Sequence, residues 1–182
     1  MRFTPKAEKY FWGTTLLHLR HMIEIHEDTI IRSEPEKIWN FLTELHVNDN
    51  YKKWHPKDHI THYIIGRDMK RVGSQAYFEE RIGKRILRAK YTLIKSNYPT
   101  YLEYEPVFPF SRLNIFRGYF KIEPTARHES KLTAYVGYGF RMPFFGWLLD
   151  WIVPKFFPTE LVKKHMHEEG VNLRRVVENN KV

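Results

Sequence analysis

Two short stretches hold the side chains best suited to chemistry. The first, YKKWHPKDHI (residues 51–60), sets His55 between a tryptophan and a proline, with His59 and His62 close behind. The second lies near the C-terminus, in ELVKKHMHEEGVNLRRVV. On a helix of about 100° per residue, Val162, Met166, Leu173 and Val176 fall on one side. His165 and Glu169 fall inside the same arc, whereas Lys163, His167, Glu168, Arg174 and Arg175 fall outside it. Their i, i+4 spacing sets His165 and Glu169 one above the other. That is how two side chains on one helix reach a single metal ion. A carboxylate facing a dry interior is costly unless a cation meets it. A His–Glu pair hydrogen-bonded in a core, or Glu169 paired with an arginine of the sheet, is the competing reading.

A second carboxylate comes from SQAYFEERI. In a strand Glu80 shares a face with Phe78 and Ile82, and Glu79 shares the other with Tyr77 and Arg81. Glu80 is therefore the more inward of the two, with Glu79 as the alternative. His55, Glu80, His165 and Glu169 together make a candidate site of two histidines and two carboxylates. His59 is an alternative to His55, since both lie in one loop. The chain has no cysteine, which excludes disulfides, thiolate zinc sites and iron–sulfur clusters. Imidazole and carboxylate donors suit zinc, and also iron, manganese or cobalt. An ion so held polarises a substrate carbonyl and acidifies water, which points to hydrolysis. Tyr77, Tyr91, Tyr104, Tyr119, Tyr135 and Tyr138 are candidate phenols for holding a hydroxylated ring. Neither a nucleophile-elbow serine nor a phosphate-binding glycine loop occurs, and VGYGF is a lone Gly-x-Gly.

The elements that must position these residues follow from pattern. MIEIHEDTIIR alternates and predicts a strand. SEPEKIWNFLTEL predicts a helix, with Ser33 and Glu36 at capping-box spacing, Pro35 in the first turn, and a stripe of Ile38, Phe41, Leu42 and Leu45. Strands are expected at 59–65, 74–82, 85–96, 100–106, 113–123 and 131–141. Gly66, Gly73, Gly83, SNYPT, FPFSR and TARHES separate them. A loop rich in aromatics and prolines spans 142–158, and a helix follows from Thr159 to Glu178, capped by Thr159. Short strands joined by hairpin turns give an antiparallel sheet, and two helices beside it make the class α+β. The expected form is a curved sheet wrapped around the C-terminal helix with an internal cavity. Residues 1–22 read as an N-terminal extension and 23–182 as a single domain.

The 182 residues suit one domain, and 42% hydrophobic with 28% charged content is ordinary for a globular chain. Aromatics reach 16%, which suggests an aromatic-lined cavity for a hydrophobic or aromatic small molecule. The net charge of +9 would suit nucleic acid or an anionic membrane. No nucleic-acid motif occurs, and the densest basic run, RIGKRILRAK, reads as a hairpin, so nucleic acid is not an expected partner. No apolar stretch reaches the roughly 20 residues of a membrane span. The segment 142–158 is a candidate for membrane contact, although Asp150, Pro154 and Lys155 interrupt it. The N-terminus is a poor signal peptide, so a cytoplasmic location is expected.

The order of elements over residues 23–178, with PEKIW after the first strand, resembles the helix-grip fold of the Bet v 1-like, START/polyketide-cyclase superfamily. That fold hosts lipid carriers, ligand sensors, cyclases and hydrolases. More narrowly, WHPKDH, a central glutamate and a C-terminal His-x-x-x-Glu resemble the diacetylphloroglucinol/phloretin hydrolase group. The resemblance implies zinc held by His55 in the loop, Glu80 or Glu79 on the strand, and His165 with Glu169 on the helix. It also implies hydrolysis of a carbon–carbon bond beside an aryl ketone. The functional expectation is thus a metal-dependent hydrolase of an acylated phenol or similar ketone. The alternative is a non-catalytic carrier or sensor of lipid or another hydrophobic ligand.

Overall fold

The computed structural model describes residues 23–66, 68–107, 116–138, 155 and 158–179. The expected N-terminal extension and nearly all of the 142–158 loop lie outside these residues.

Strand β1 (Ile23–Ile31) is followed by helices α1 (Pro35–Thr43) and α2 (Asn50–Trp54). Strands β2 (His59–Ile65), β3 (Gln75–Ile82), β4 (Arg85–Asn97), β5 (Tyr101–Pro106), β6 (Phe116–Ala126) and β7 (Glu129–Tyr138) come next, and helix α3 (Thr159–Asn179) closes the series. The seven strands form one sheet in the order β1-β7-β6-β5-β4-β3-β2, antiparallel at every pairing. β2 to β7 are therefore an unbroken meander. β1 crosses over to pair with β7, and α1 and α2 span the gap. The class is α+β, with a curved antiparallel sheet gripping the C-terminal helix. Among the described residues no helix is long and apolar enough to cross a membrane.

Alternation sets which side of β1 is covered: Ile25, Thr29 and Ile31 are buried, and Glu24, His26, Asp28 and Ile30 are exposed. In α1 Ile38, Trp39, Phe41 and Leu42 are buried, as its stripe requires. The expected capping box does not form. The helix begins one residue later, with Glu34 at the cap and no side-chain cap bond. Ser33 is instead buried, and its carbonyl accepts the Ser130 hydroxyl at 2.8 Å. The β6–β7 turn is also shorter than expected, because the hairpin register continues to the pair Ala126–Glu129.

Helix α3 lies chiefly against β1 and buries Val162, His165, Met166, Gly170, Leu173 and Val177. Leu173 and Val177 join Ile31, Ile38 and Ile122 in the main core. Gly170 permits this close approach, since a methyl group there would overlap the Thr29 hydroxyl on β1. The depth of the helix against the sheet is thus fixed one residue away from Glu169.

Candidate metal centre

The first histidine stretch is shaped by a tight turn. The carbonyl of His55 accepts from the amides of Asp58 (3.1 Å) and His59 (2.9 Å), so these three residues cluster. Trp54 anchors the turn: its indole N–H donates to the backbone carbonyl of Glu169 at 2.9 Å. His59 then opens β2 opposite Glu80 of β3. A bulge between His59 and Thr61 breaks the register there, and bulges commonly re-aim a side chain in this way.

These constraints bring His59, Glu80, His165 and Glu169 together. One ligand atom from each lies within 4.8 Å of all the others. His59 Nε2 is 2.7 Å from Glu169 Oε1 and 3.9 Å from Glu80 Oε2. His165 Nε2 is 3.6 Å from Glu169 Oε1 and 3.8 Å from Glu80 Oε2. His59 is fully sealed, at 0% side-chain exposure, and Glu169 is the most open of the four at 17%.

The tautomers suit a cation. His59 Nδ1 lies 2.8 Å from the Tyr51 carbonyl, which can only accept, so Nδ1 carries the hydrogen. In the neutral ring the lone pair of Nε2 then faces a carboxylate oxygen. Two acceptors at hydrogen-bond distance need a positive charge between them, a proton or a metal ion. His165 Nε2 is buried and has no hydrogen-bond partner, which suits a metal bond. Tyr51 stacks on His59 (centroids 3.9 Å apart) and donates its hydroxyl to Glu80 Oε2 at 3.3 Å. Burial, then the charges of Glu80 and Glu169, raise the Tyr51 phenol, so it remains a donor.

Electrostatics agree with this packing. Burial opposes a charge on His165, but Glu169, Glu80 and Asp58 outweigh it and raise the ring to about 9. Burial would raise the carboxyl of Glu169, but His165, His59 and His55 hold it below the usual carboxylate range. His55 is held below its ordinary value, by burial first and then by His165 and His59.

Three of the four residues singled out in the sequence, Glu80, His165 and Glu169, meet in this cluster. Glu79 points away and pairs with Arg88 Nε at 3.1 Å and with the Tyr77 hydroxyl. The fourth place is taken by His59, the alternative from the same loop. His55 lies beside it, with its ring centroid 5.0 Å from that of His165. Its Nδ1 is 3.6 Å from Asp58 Oδ2, and its Nε2 is 3.5 Å from Glu168 Oε2. Asp58 Oδ2 is also 3.6 Å from His165 Nδ1, so His55, Asp58 and His165 form a second, adjoining donor group. Asp58 was missed by sequence reasoning; its one signal is the i, i+3 spacing from His55 in HPKD.

The first group opens on a cavity of about 830 Å³ between sheet and α3. Leu42, Phe78, Leu93, Leu102, Phe120 and Met166 are among its apolar walls, while Glu80, His165 and Glu169 form a polar patch. His55 and His59 do not line it; they stand behind. Of the candidate phenols, Tyr91, Tyr104 and Tyr138 face the cavity, whereas Tyr119 and Tyr135 stack together elsewhere at 4.6 Å.

No known family profile matches this chain, and no curated protein matches it in sequence. Solved structures match its fold. Norcoclaurine synthase from Thalictrum flavum, solved with dopamine and hydroxybenzaldehyde, superposes with a TM-score of 0.63 at 13% identity, covering 98% of this chain and 99% of that one. The Zhui aromatase/cyclase from Streptomyces sp. R1128 gives 0.65 at 10% identity, covering 87% and 94%. A protein of Thermus thermophilus gives 0.61 at 14% identity, covering 88% and 100%. At such identities the likeness is one of architecture, and it agrees with the sheet order and long final helix: this chain has the helix-grip fold that these proteins share.

Proposed function

We propose that this protein is a metal-dependent hydrolase of acylated phenols or similar aryl ketones, with zinc as its ion. The observation that carries the reading is the meeting of His59, Glu80, His165 and Glu169, with a partnerless His165 Nε2, at the wall of a largely apolar cavity. When bound, such an ion supplies Lewis-acid polarisation of a carbonyl and acidifies water. The chain does the rest. The Tyr51 carbonyl holds His59 in the tautomer that turns Nε2 inward, and two carboxylates balance a divalent charge. The apolar walls desolvate the ring and place its acyl group at the polar patch. Water adds to the acyl carbon, and the bond from that carbon to the ring breaks. The electron pair goes to the ring carbon, which takes a proton as the carboxylic acid leaves. A hydroxyl ortho or para to that carbon eases the step, because the ring can pass through its keto form.

The size and apolar lining of the cavity also favour the second reading, a carrier of a hydrophobic ligand. Elemental analysis of protein purified without added metal separates the two. About one equivalent of a transition metal, lost in His165→Ala, supports the hydrolase. In that case acylated phenols are the first substrates, read by release of the carboxylic acid. Metal below about a tenth of an equivalent, unchanged in His165→Ala, leaves the carrier.

A further inference from the structure

On the strands that flank Glu80's strand, the cavity wall holds a polar pair with an uneven hydrogen-bond inventory. His62 on β2 and Tyr91 on β4 both line the cavity, and His62 Nε2 lies 2.8 Å from the Tyr91 hydroxyl oxygen. His62 Nδ1 is buried and has no partner. The ring has two neutral tautomers. If Tyr91 donated to Nε2, the hydrogen would sit on Nδ1, leaving a buried N–H without an acceptor. If Nε2–H donates to Tyr91, a ring lone pair is left unmatched and the hydroxyl hydrogen turns to the cavity that Tyr91 lines, where water or a ligand can accept it. Orphaned buried N–H groups are the rarer of the two. The second tautomer therefore prevails, and it leaves the Tyr91 hydroxyl hydrogen unspent.

That hydrogen has no other acceptor in a hydrogen bond among the described residues. Around it stand rings: Tyr104 with its centroid 5.3 Å away, and Phe78 at 5.8 Å. Burial and then the charge of Glu80 raise the phenol, so it stays a donor, and a donor on a largely apolar wall is costly to leave without an acceptor.

We propose that the Tyr91 hydroxyl, backed by His62, is the donor that recognises an oxygen atom on an aromatic ligand, a carbonyl or hydroxyl oxygen attached to the ring system. This deepens the reading above and rests on the same cavity being the ligand site, but it does not need the ion. It applies equally to a carrier. It also ranks the phenols that spacing alone left equal, with Tyr91 first.

The test uses two ligands of like shape, acetophenone and α-methylstyrene, in which C=O is replaced by C=CH₂. Affinities are read by quenching of intrinsic fluorescence in the full chain. Wild type binds the ketone about five- to tenfold more tightly, the worth of one net hydrogen bond. Tyr91→Phe abolishes the preference while α-methylstyrene affinity is unchanged, which also shows that the pocket is intact. His165→Ala, which removes the proposed ion ligand, keeps the preference. A preference that survives Tyr91→Phe overturns the inference, as does a wild type that shows none. A preference lost in His165→Ala but kept in Tyr91→Phe overturns it too, and assigns oxygen recognition to the ion. If elemental analysis finds the purified protein free of metal, the hydrolase fails on that count alone, and a ketone preference lost in Tyr91→Phe leaves the Tyr91 donor standing.

Discussion

Nε2 of His59 lies 2.7 Å from Oε1 of Glu169 while Nδ1 of the same ring is committed to the Tyr51 carbonyl. The loop and the last helix are thus joined at a contact that only a proton or a cation can satisfy. His59→Ala and Glu169→Gln should each weaken metal affinity by about a hundredfold or more, beyond what loss of an outer partner costs. His55→Ala should keep the full metal content. Competition against a chromogenic chelator measures this, and the reverse order of the two histidines would make His55 the ligand.

Asp58 does not line the cavity, yet its carboxylate stands 3.6 Å from Nδ1 of both His55 and His165. Holding Nδ1 of His165 directs Nε2 toward Glu80 and Glu169. Asp58→Ala should lower metal affinity about ten- to a hundredfold without changing stoichiometry, and Asp58→Asn should lower it less. Loss of a whole equivalent in either variant would place Asp58 among the ligands.

His62 predicts acid sensitivity. Burial, then the charges of His46 and His59, push its ring down to about 4. The unfolded chain, with an ordinary histidine near 6.5, binds more protons between those values. Stability is therefore lost as pH falls from about 6.5 to about 4, by up to about 3 kcal/mol. Urea midpoints should drop over this range in wild type, and less steeply in His62→Phe. Equal slopes would refute the assignment.

Gly170→Ala sets two effects against each other. Alanine favours the helix by about 1 kcal/mol. Its methyl would overlap the Thr29 hydroxyl, and overpacking costs about 1–3 kcal/mol. Overlap with a buried partner should win, so the variant is destabilised. Thr29→Ala in the same chain should restore most of the loss, because the obstructing oxygen is gone. Additive effects of the two substitutions in thermal denaturation would contradict this.

The strands and the final helix were legible because their signals are local. Alternation in QAYFEERI separates Glu80 from Glu79, and the wheel separates His165 and Glu169 from His167 and Glu168. The choice between His55 and His59 was not legible. It depends on the two amides that bond the His55 carbonyl and on a bulge defined only by pairing with β3. The capping box at Ser33 misled for a similar reason: Ser130, far along the chain, uses the Ser33 carbonyl and draws the residue into the core. Asp58 was hidden because one carboxylate between two distant imidazoles has no periodic signature.

The placing of His59 bears on the rate at which an ion would come and go. His59 closes the rear of the donor group with no exposed side-chain surface, and Glu80, His165 and Glu169 form its front, on the cavity. Among the described residues the way in is therefore the ligand's own chamber. An aromatic occupant becomes a stopper: chelators should strip the ion more slowly as the chamber fills, even where the occupant never touches it.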